Sequence, residues 1–229
     1  MAEPVRIVFA VFPNVTQLDF TGPHQAFSRL PGAVVTTASV TGAPLAADGL
    51  EFSGLARLAD VSGCDVLCVP GGHGVIEAIG DQAFLREVRR LAAGARFVTS
   101  VCTGSLALGA AGLLRGRRAA CHWAWRELLV PFGAIVDTGR VVRDGNVITG
   151  GGITAGIDLA LTVSAELAGP DVAQAIQLTL EYAPAPPFDA GRPETAPPEA
   201  VAFVQTRMAA TAEARRIAVE AAARRLSPG

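Results

Sequence analysis

Three segments of the chain, VRIVFAVF (5–12), CDVLCVP (64–70) and RFVTSV (96–101), read as strands in which apolar residues run on continuously instead of alternating with polar ones. Such strands have no face to give to water, so they belong in a sheet covered by helices on both sides. Segments with helical character lie between them: TGPHQAFSRL (21–30) leads to a further strand, GAVVTTASV (32–40), and DQAFLREVRRLAAGA (81–95) precedes RFVTSV. Strand–helix–strand units joined by right-handed crossovers imply the α/β class with a mostly parallel central sheet.

The rest of the chain extends this pattern. SLALGAAGLL (105–114) reads as a small-residue helix, RRAACH (117–122) as a brief strand and HWAWRELLVPF (122–132) as a helical turn or two. AIVDTGRVVRDGNVITGGG (134–152) holds two short alternating segments around Asp144-Gly145, a hairpin signal. Two apolar helices follow, over 153–169 and 171–183. A Pro-rich arm over 184–198 and a C-terminal Ala/Arg helix over 199–226 are expected to pack on one domain spanning residues 1–229.

Composition narrows the function classes. Hydrophobic residues make up 50% and charged residues 17% of the 229 residues, which favours a large buried core over disorder. The 19 basic residues, all arginine, and 21 acidic ones sum to −2, so no nucleic-acid footprint is expected. There is no apolar stretch of membrane-spanning length and no cleavage-type sequence in MAEPVRIVFAVF, so no membrane partner and a cytoplasmic address are expected. Four cysteines are too few for a disulfide scaffold in a chain this long, so any special cysteine is special by its reactivity.

Cys102 is the candidate. An apolar strand runs into it and a helix starts at once behind it, with the small residues Ser100 and Gly104 two positions to either side, as a tight strand-to-helix elbow requires. The helix N-terminus is expected to favour the thiolate. The competing reading is a buried core cysteine.

Asp19, in NVTQLDFTGPHQAF, is placed to reach the same carboxyl edge of the sheet, where open α/β folds bind ligands; a turn or cap role is its alternative. His122 follows a strand and could flank the site, or be a satisfied histidine beside Trp123. Gly71 and Gly72, at the end of CDVLCVP, offer backbone N–H groups as an oxyanion pocket.

No dinucleotide or P-loop fingerprint occurs, and Cys64 and Cys68 have no zinc spacing, so neither nucleotide nor metal is expected. The arginines of LLRGRRAA and EARRIAVEAAARRL are read as solvated surface.

Taken together, FPNVTQLDFTGP (12–23), VPGGHG (69–74), TSVCTGSLALGAAGLL (99–114), ACHWAW (120–125) and ITGGGITAGIDLAL (148–161) resemble the ThiJ/PfpI superfamily, and the EYAPAPPFDAG arm (181–191) extends the likeness. The match is narrowest with the branch that hydrates isocyanides. The resemblance implies a flavodoxin-like three-layer sandwich, a homodimer, a small-molecule isocyanide substrate and no cofactor. Carried over by motif, it implies Cys102 as nucleophile and Asp19 as the carboxyl facing it, with Thr103 and Gly72 bordering the thiol. The GGGITAG turn, with Gly151 and Ile153, would abut the same pocket.

Thr103 stands where peptidase and chaperone-like members often have His, which weakens a Cys–His peptidase reading. Other members place Glu where Asp19 sits. The implied chemistry is addition of Cys102 to the isocyanide carbon with a proton from Asp19, then hydrolysis of the thioimidate to an N-substituted formamide. The alternatives are a glyoxalase or deglycase acting on aldehydes, and a redox or ligand sensor like the N-terminal domain of AraC-type regulators. The 45 residues after Pro184 leave no room for a helix-turn-helix region in the chain as given.

Overall fold

The computed structural model describes residues 3–226. The chain opens with β1 (Val5–Ala10), α1 (Gln17–Phe27) and β2 (Ala33–Ser39), continues through a small hairpin, β3 (Leu45–Ala47) and β4 (Leu50–Phe52), and reaches the two-residue β5 (Ala56–Arg57). It then runs through β6 (Val66–Val69), α2 (Val75–Gly80), α3 (Gln82–Gly94), β7 (Phe97–Val101) and α4 (Gly104–Ala110). β8 (Arg118–Ala119), a 3₁₀ segment (Arg126–Phe132) and β9 (Ile135–Val136) precede β10 (Val141–Asp144) and β11 (Val147–Gly150). Three helices finish it: α5 (Ala155–Ala168), α6 (Pro170–Thr179) and α7 (Pro198–Leu226).

Seven strands form the central sheet in the order β10-β11-β7-β6-β1-β2-β5. All neighbours are parallel except β10, which lies antiparallel to β11 at one edge. β6 and β7 are buried along their whole length, as continuous apolar strands must be. α1, α5 and α6 pack together against one face, and α2, α3, α4 and α7 cover the other.

α3 shows the local logic. Asp81 caps it by accepting from the N–H groups of Ala83 (2.8 Å) and Phe84 (3.2 Å), and Phe84, Leu85, Val88, Leu91 and Ala92 form its buried stripe. Each large member of that stripe contributes roughly 1.5–3 kcal/mol by leaving water.

From β1 the chain winds outward to β2, then returns to β6 on the opposite side of β1 and proceeds to β7 and β11. The winding direction therefore reverses between β1 and β6, and the loops leaving their carboxyl ends diverge to open a crevice.

Several sequence expectations change in detail. α1 begins at Gln17, before the expected 21–30 segment. β8 pairs with β9 in a separate two-stranded sheet and not with the central one, because only Arg118 and Ala119 are extended. The expected hairpin forms, with Asp144 pairing Val147, so its two-residue loop is Gly145–Asn146, one position later. The β3–β4 hairpin was not anticipated, although Asp48 (φ +50°) and Gly49 (φ +79°) give it the two left-handed residues of a tight turn. Helix α2, also unanticipated, follows the glycine loop directly. No helix among the described residues is long and apolar enough to cross a membrane.

The close approach of the loops can be tested by stability. A Cβ on Gly104 would stand 2.1 Å from the Val69 carbonyl oxygen, whereas one on Gly94 would meet nothing within 4 Å. Gly104→Ala should lose about 3 kcal/mol or fail to fold. Gly94→Ala, at the last residue of α3, should be neutral or gain up to about 1 kcal/mol. Urea unfolding measures both.

Candidate active site

β7 delivers its chain to Cys102, which has φ +58°, a left-handed conformation that a side chain other than glycine adopts only under constraint. The constraint is visible on both sides. The Cys102 N–H donates to the Gly150 carbonyl (3.0 Å), extending the β11–β7 pairing one residue past the strand. Behind it, Gly104 lies against the end of β6 with no room for a side chain. Ser100 and Ser105 share a 2.8 Å hydrogen bond, and the Ser105 hydroxyl donates to the Ala120 carbonyl at 2.6 Å. Ala120 in turn donates its N–H to Thr149 Oγ1 (2.7 Å), so β7, α4 and β11 are tied together under the elbow.

The second wall comes from the glycine loop after β6. Gly71 donates its N–H to Asp19 Oδ2 (3.0 Å), and Gly72 donates to Thr103 Oγ1 (2.9 Å). Asp19 sits in the first turn of α1 and is fully buried. A Cβ on Gly71 would fall 2.5 Å from Thr103 Oγ1 and 2.9 Å from Asp19 Oδ2. Gly72 (φ +145°) lies so close to the segment before α1 that a Cβ would be 2.4 Å from the Thr16 nitrogen, and the Thr16 N–H donates to the Gly71 carbonyl (2.9 Å). The loops after β1, β6 and β7 are therefore packed backbone to backbone, which brings Asp19 and Cys102 together.

The two acids then perturb each other. Burial pushes the Asp19 carboxyl up to about 7, against the Gly71 N–H and a hydrogen bond with the Cys102 thiol, which lower it; the charge of Asp48 raises it further. Burial, then the charge of Asp19, push the Cys102 thiol well above its ordinary value, while the Thr103 N–H pulls the other way. This runs against the expected thiolate: the burial and the neighbouring Asp19 charge that raise the thiol outweigh the Thr103 N–H that lowers it. The resting site holds a thiol beside a carboxyl poised near neutrality. Among the described residues, the buried Asp19 Oδ1 makes no hydrogen bond.

A cavity of about 100 Å³ opens at the thiol, lined by Thr16, Gly72, His73, Cys102, Thr103, His122, Trp125, Ile153, Met208 and Arg215. Of the residues expected there, Gly72, Thr103, Ile153 and His122 line it with Cys102, and Gly71 holds Asp19 behind it. Gly151 does not reach it; with Cys121, His122 and Ile153 it lines a neighbouring cavity of about 230 Å³. Burial lowers the pKa of His122, and its Nδ1 accepts from the Ala124 N–H at 3.3 Å. All four cysteines are free, and among the described residues no group of His, Cys, Asp and Glu could hold a metal ion.

Sequence reasoning missed the roof of this cavity. Arg215, read as solvated surface, is 4% exposed and stands over the Trp125 ring at 4.5 Å from its centroid. The signal was its spacing: Arg215, Val219 and Ala222 follow i, i+4, i+7 and form the buried stripe of α7. A charged residue inside an apolar stripe is a different object from one on a charged face.

The pattern that defines the DJ-1/PfpI family matches residues 5–166. An isonitrile hydratase of Pseudomonas putida is 50% identical over 224 residues, covering 97% of this chain and 98% of that protein. A crystal structure of a ThiJ/PfpI family protein from Pseudomonas syringae superposes with a TM-score of 0.88 at 40% identity, covering 97% of this chain and 91% of the other. An AraC family transcriptional regulator from Pseudomonas putida shares the fold alone, with a TM-score of 0.66 at 20% identity over 77% of this chain and 100% of that one.

The raised Asp19 value makes a stability prediction. The folded state holds that proton up to about pH 7 while the unfolded chain releases it near the ordinary value of 3.8. Between those values the folded state binds more protons, so this carboxyl lowers stability as pH rises through the window. Relative to Asp19→Asn, the wild type should lose up to about 4 kcal/mol between pH 4 and pH 7.5, while the difference between the two stays constant below about pH 3. Paired urea titrations across pH read the difference.

Proposed function

The chain belongs to the DJ-1/PfpI family, and from that premise we propose that it hydrates isocyanides, also called isonitriles, to N-substituted formamides through a covalent bond to Cys102. The observation that carries the chemistry is the Cys102–Asp19 pair: a thiol on a strained elbow beside a buried carboxyl whose pKa of about 7 lets it give and take a proton at neutral pH. The full-length likeness to an isonitrile hydratase supports the substrate class.

In the first step the Cys102 sulfur attacks the terminal isocyanide carbon. The thiol proton passes to the Asp19 carboxylate, and the carboxyl so formed delivers it to the same carbon, giving the thioimidate R–N=CH–S–Cys102. Asp19, again a carboxylate, takes a proton from water as the water oxygen adds to that carbon. Protonation of nitrogen and cleavage of the C–S bond release R–NH–CHO and return the thiol. The sum is one isocyanide and one water to one formamide, with no electron transferred.

Gly72 and Thr103 position the pair: the Gly72 N–H holds the Thr103 hydroxyl, and Thr103 supplies the N–H that favours ionised sulfur. His122 and Ile153 face the substrate from the far wall. Gly151 shapes the adjoining turn. A cytoplasmic address and a homodimeric state complete the reading; the exposed Leu178, Phe188 and Phe203 side chains support a partner copy, and light scattering tests it. The domain reading completes it too: α7 packs on α2, α4 and the Arg126–Phe132 segment, which supports a single unit.

Loss of the isocyanide infrared band near neutral pH, with formamide appearing in equal amount, is the direct assay. Cys102→Ala should abolish turnover, and Asp19→Asn, which keeps a hydrogen-bond acceptor but cannot carry the proton, should slow it by about 10²-fold or more. Full activity in Cys102→Ala overturns the mechanism. Turnover of methylglyoxal in place of any isocyanide overturns the substrate class in favour of the aldehyde reading.

A further inference from the structure

Arg215 is a buried cation with no ion-pair partner among the described residues. It is 4% exposed, its Nε and Nη1 atoms make no hydrogen bond, and none of the ion pairs among the described residues includes it. Its contact with the Trp125 ring at 4.5 Å satisfies the face of the guanidinium but none of its N–H donors. Cys102, Cys121 and Glu77, in that order, are near enough to interact with its charge, yet none of them hydrogen-bonds its free Nε and Nη1 atoms. A fork of donors left unpaired in the interior is costly, and such groups persist where a ligand supplies the missing partner.

The place of Arg215 says which ligand. It lines the 100 Å³ cavity that holds Cys102, and it also lines an adjoining cavity of about 400 Å³ with His73, Phe203, Arg207 and Met208. A molecule whose reacting carbon lies on Cys102 would extend toward this guanidinium. Neither Cys102 nor Asp19 answers it: among the described residues no hydrogen bond or ion pair reaches the Arg215 Nε and Nη1 atoms. A substrate that carries its own anionic group would supply the missing partner directly. A second cation, Arg207, lies farther along the same wall.

We infer that the substrates are isocyanides bearing an anionic group, of which a carboxylate suits the planar guanidinium best, and that Arg215 binds that group through its free donors while Cys102 receives the isocyanide carbon. The inference rests on the hydratase reading and narrows it from isocyanides in general to acidic ones.

The test is a matched pair, isocyanoacetate and methyl isocyanoacetate, which differ in the charge at one end and share the reacting group. Wild-type enzyme at pH 8 should favour the acid over the ester by about tenfold or more in kcat/KM, with the difference carried by KM. Arg215→Met, which keeps the packing volume over Trp125, should lower the acid-to-ester ratio by at least about tenfold; Arg215→Gln carries the same expectation if the Met variant does not fold. A wild type that prefers the ester or treats the two alike overturns the inference, as does a variant that loses both substrates equally, which would mark Arg215 as structural. Those outcomes leave isocyanide hydration standing. If neither isocyanide is consumed, the hydratase reading itself falls and this inference with it.

Discussion

The site depends on a backbone approach with no side chain in between. The loop after β6 and the elbow after β7 meet so closely that a single added Cβ on Gly71 or Gly104 would overlap the opposite chain, at 2.5 Å from the Thr103 nitrogen and 2.1 Å from the Val69 oxygen. That contact forces the left-handed turn at Cys102 and orients the N–H groups of Gly71 and Gly72 toward Asp19 and Thr103. Strain is tolerated there because several independent hydrogen bonds over-determine the geometry. The bonds through Ser105, Ala120 and Thr149 brace the turn from below.

From this geometry the chemistry follows by desolvation. Asp19 has no exposed surface, so its charged form is penalised, and only the Gly71 N–H and the neighbouring thiol keep its pKa as low as about 7. The same burial keeps the sulfur protonated at rest. A thiol beside a carboxyl that exchanges its proton near pH 7 is suited to a reagent that needs a nucleophile and a proton at one carbon. A permanently ionised thiolate would supply only the first.

α7 closes the cavity. This helix lies on α2, α4 and the Arg126–Phe132 segment, and it brings Met208 and Arg215 over the opening. The elbow after β7 and the first turn of α1 carry the reacting groups, and the C-terminal helix carries the buried Arg215. Reaction and substrate selection are thus separated along the chain, which is how a shared sandwich can serve different molecules without altering its elbow.

The α/β class, the parallel strands and the elbow at Cys102 could be read from the sequence, because each rests on local patterning: continuous apolar runs, small residues flanking a cysteine, and a helix starting directly behind it. Asp19 was legible only as a residue near the right edge. The hairpin at Leu45–Phe52 escaped notice because its strands are three residues long, too short for a period to register. The ionisation of the thiol was misjudged, since local sequence reports the helix behind a cysteine but not the depth of burial around it. Arg215 was misread because its spacing within α7 was not weighed against its charge. Sequence by itself determined the strands, the turn chemistry and the kinds of acid available, all of which depend on residues close together in the chain. The proton affinities, the cavity at the thiol and the buried guanidinium were decided by tertiary structure, because each depends on how segments about 50 to 200 residues apart exclude water from these groups.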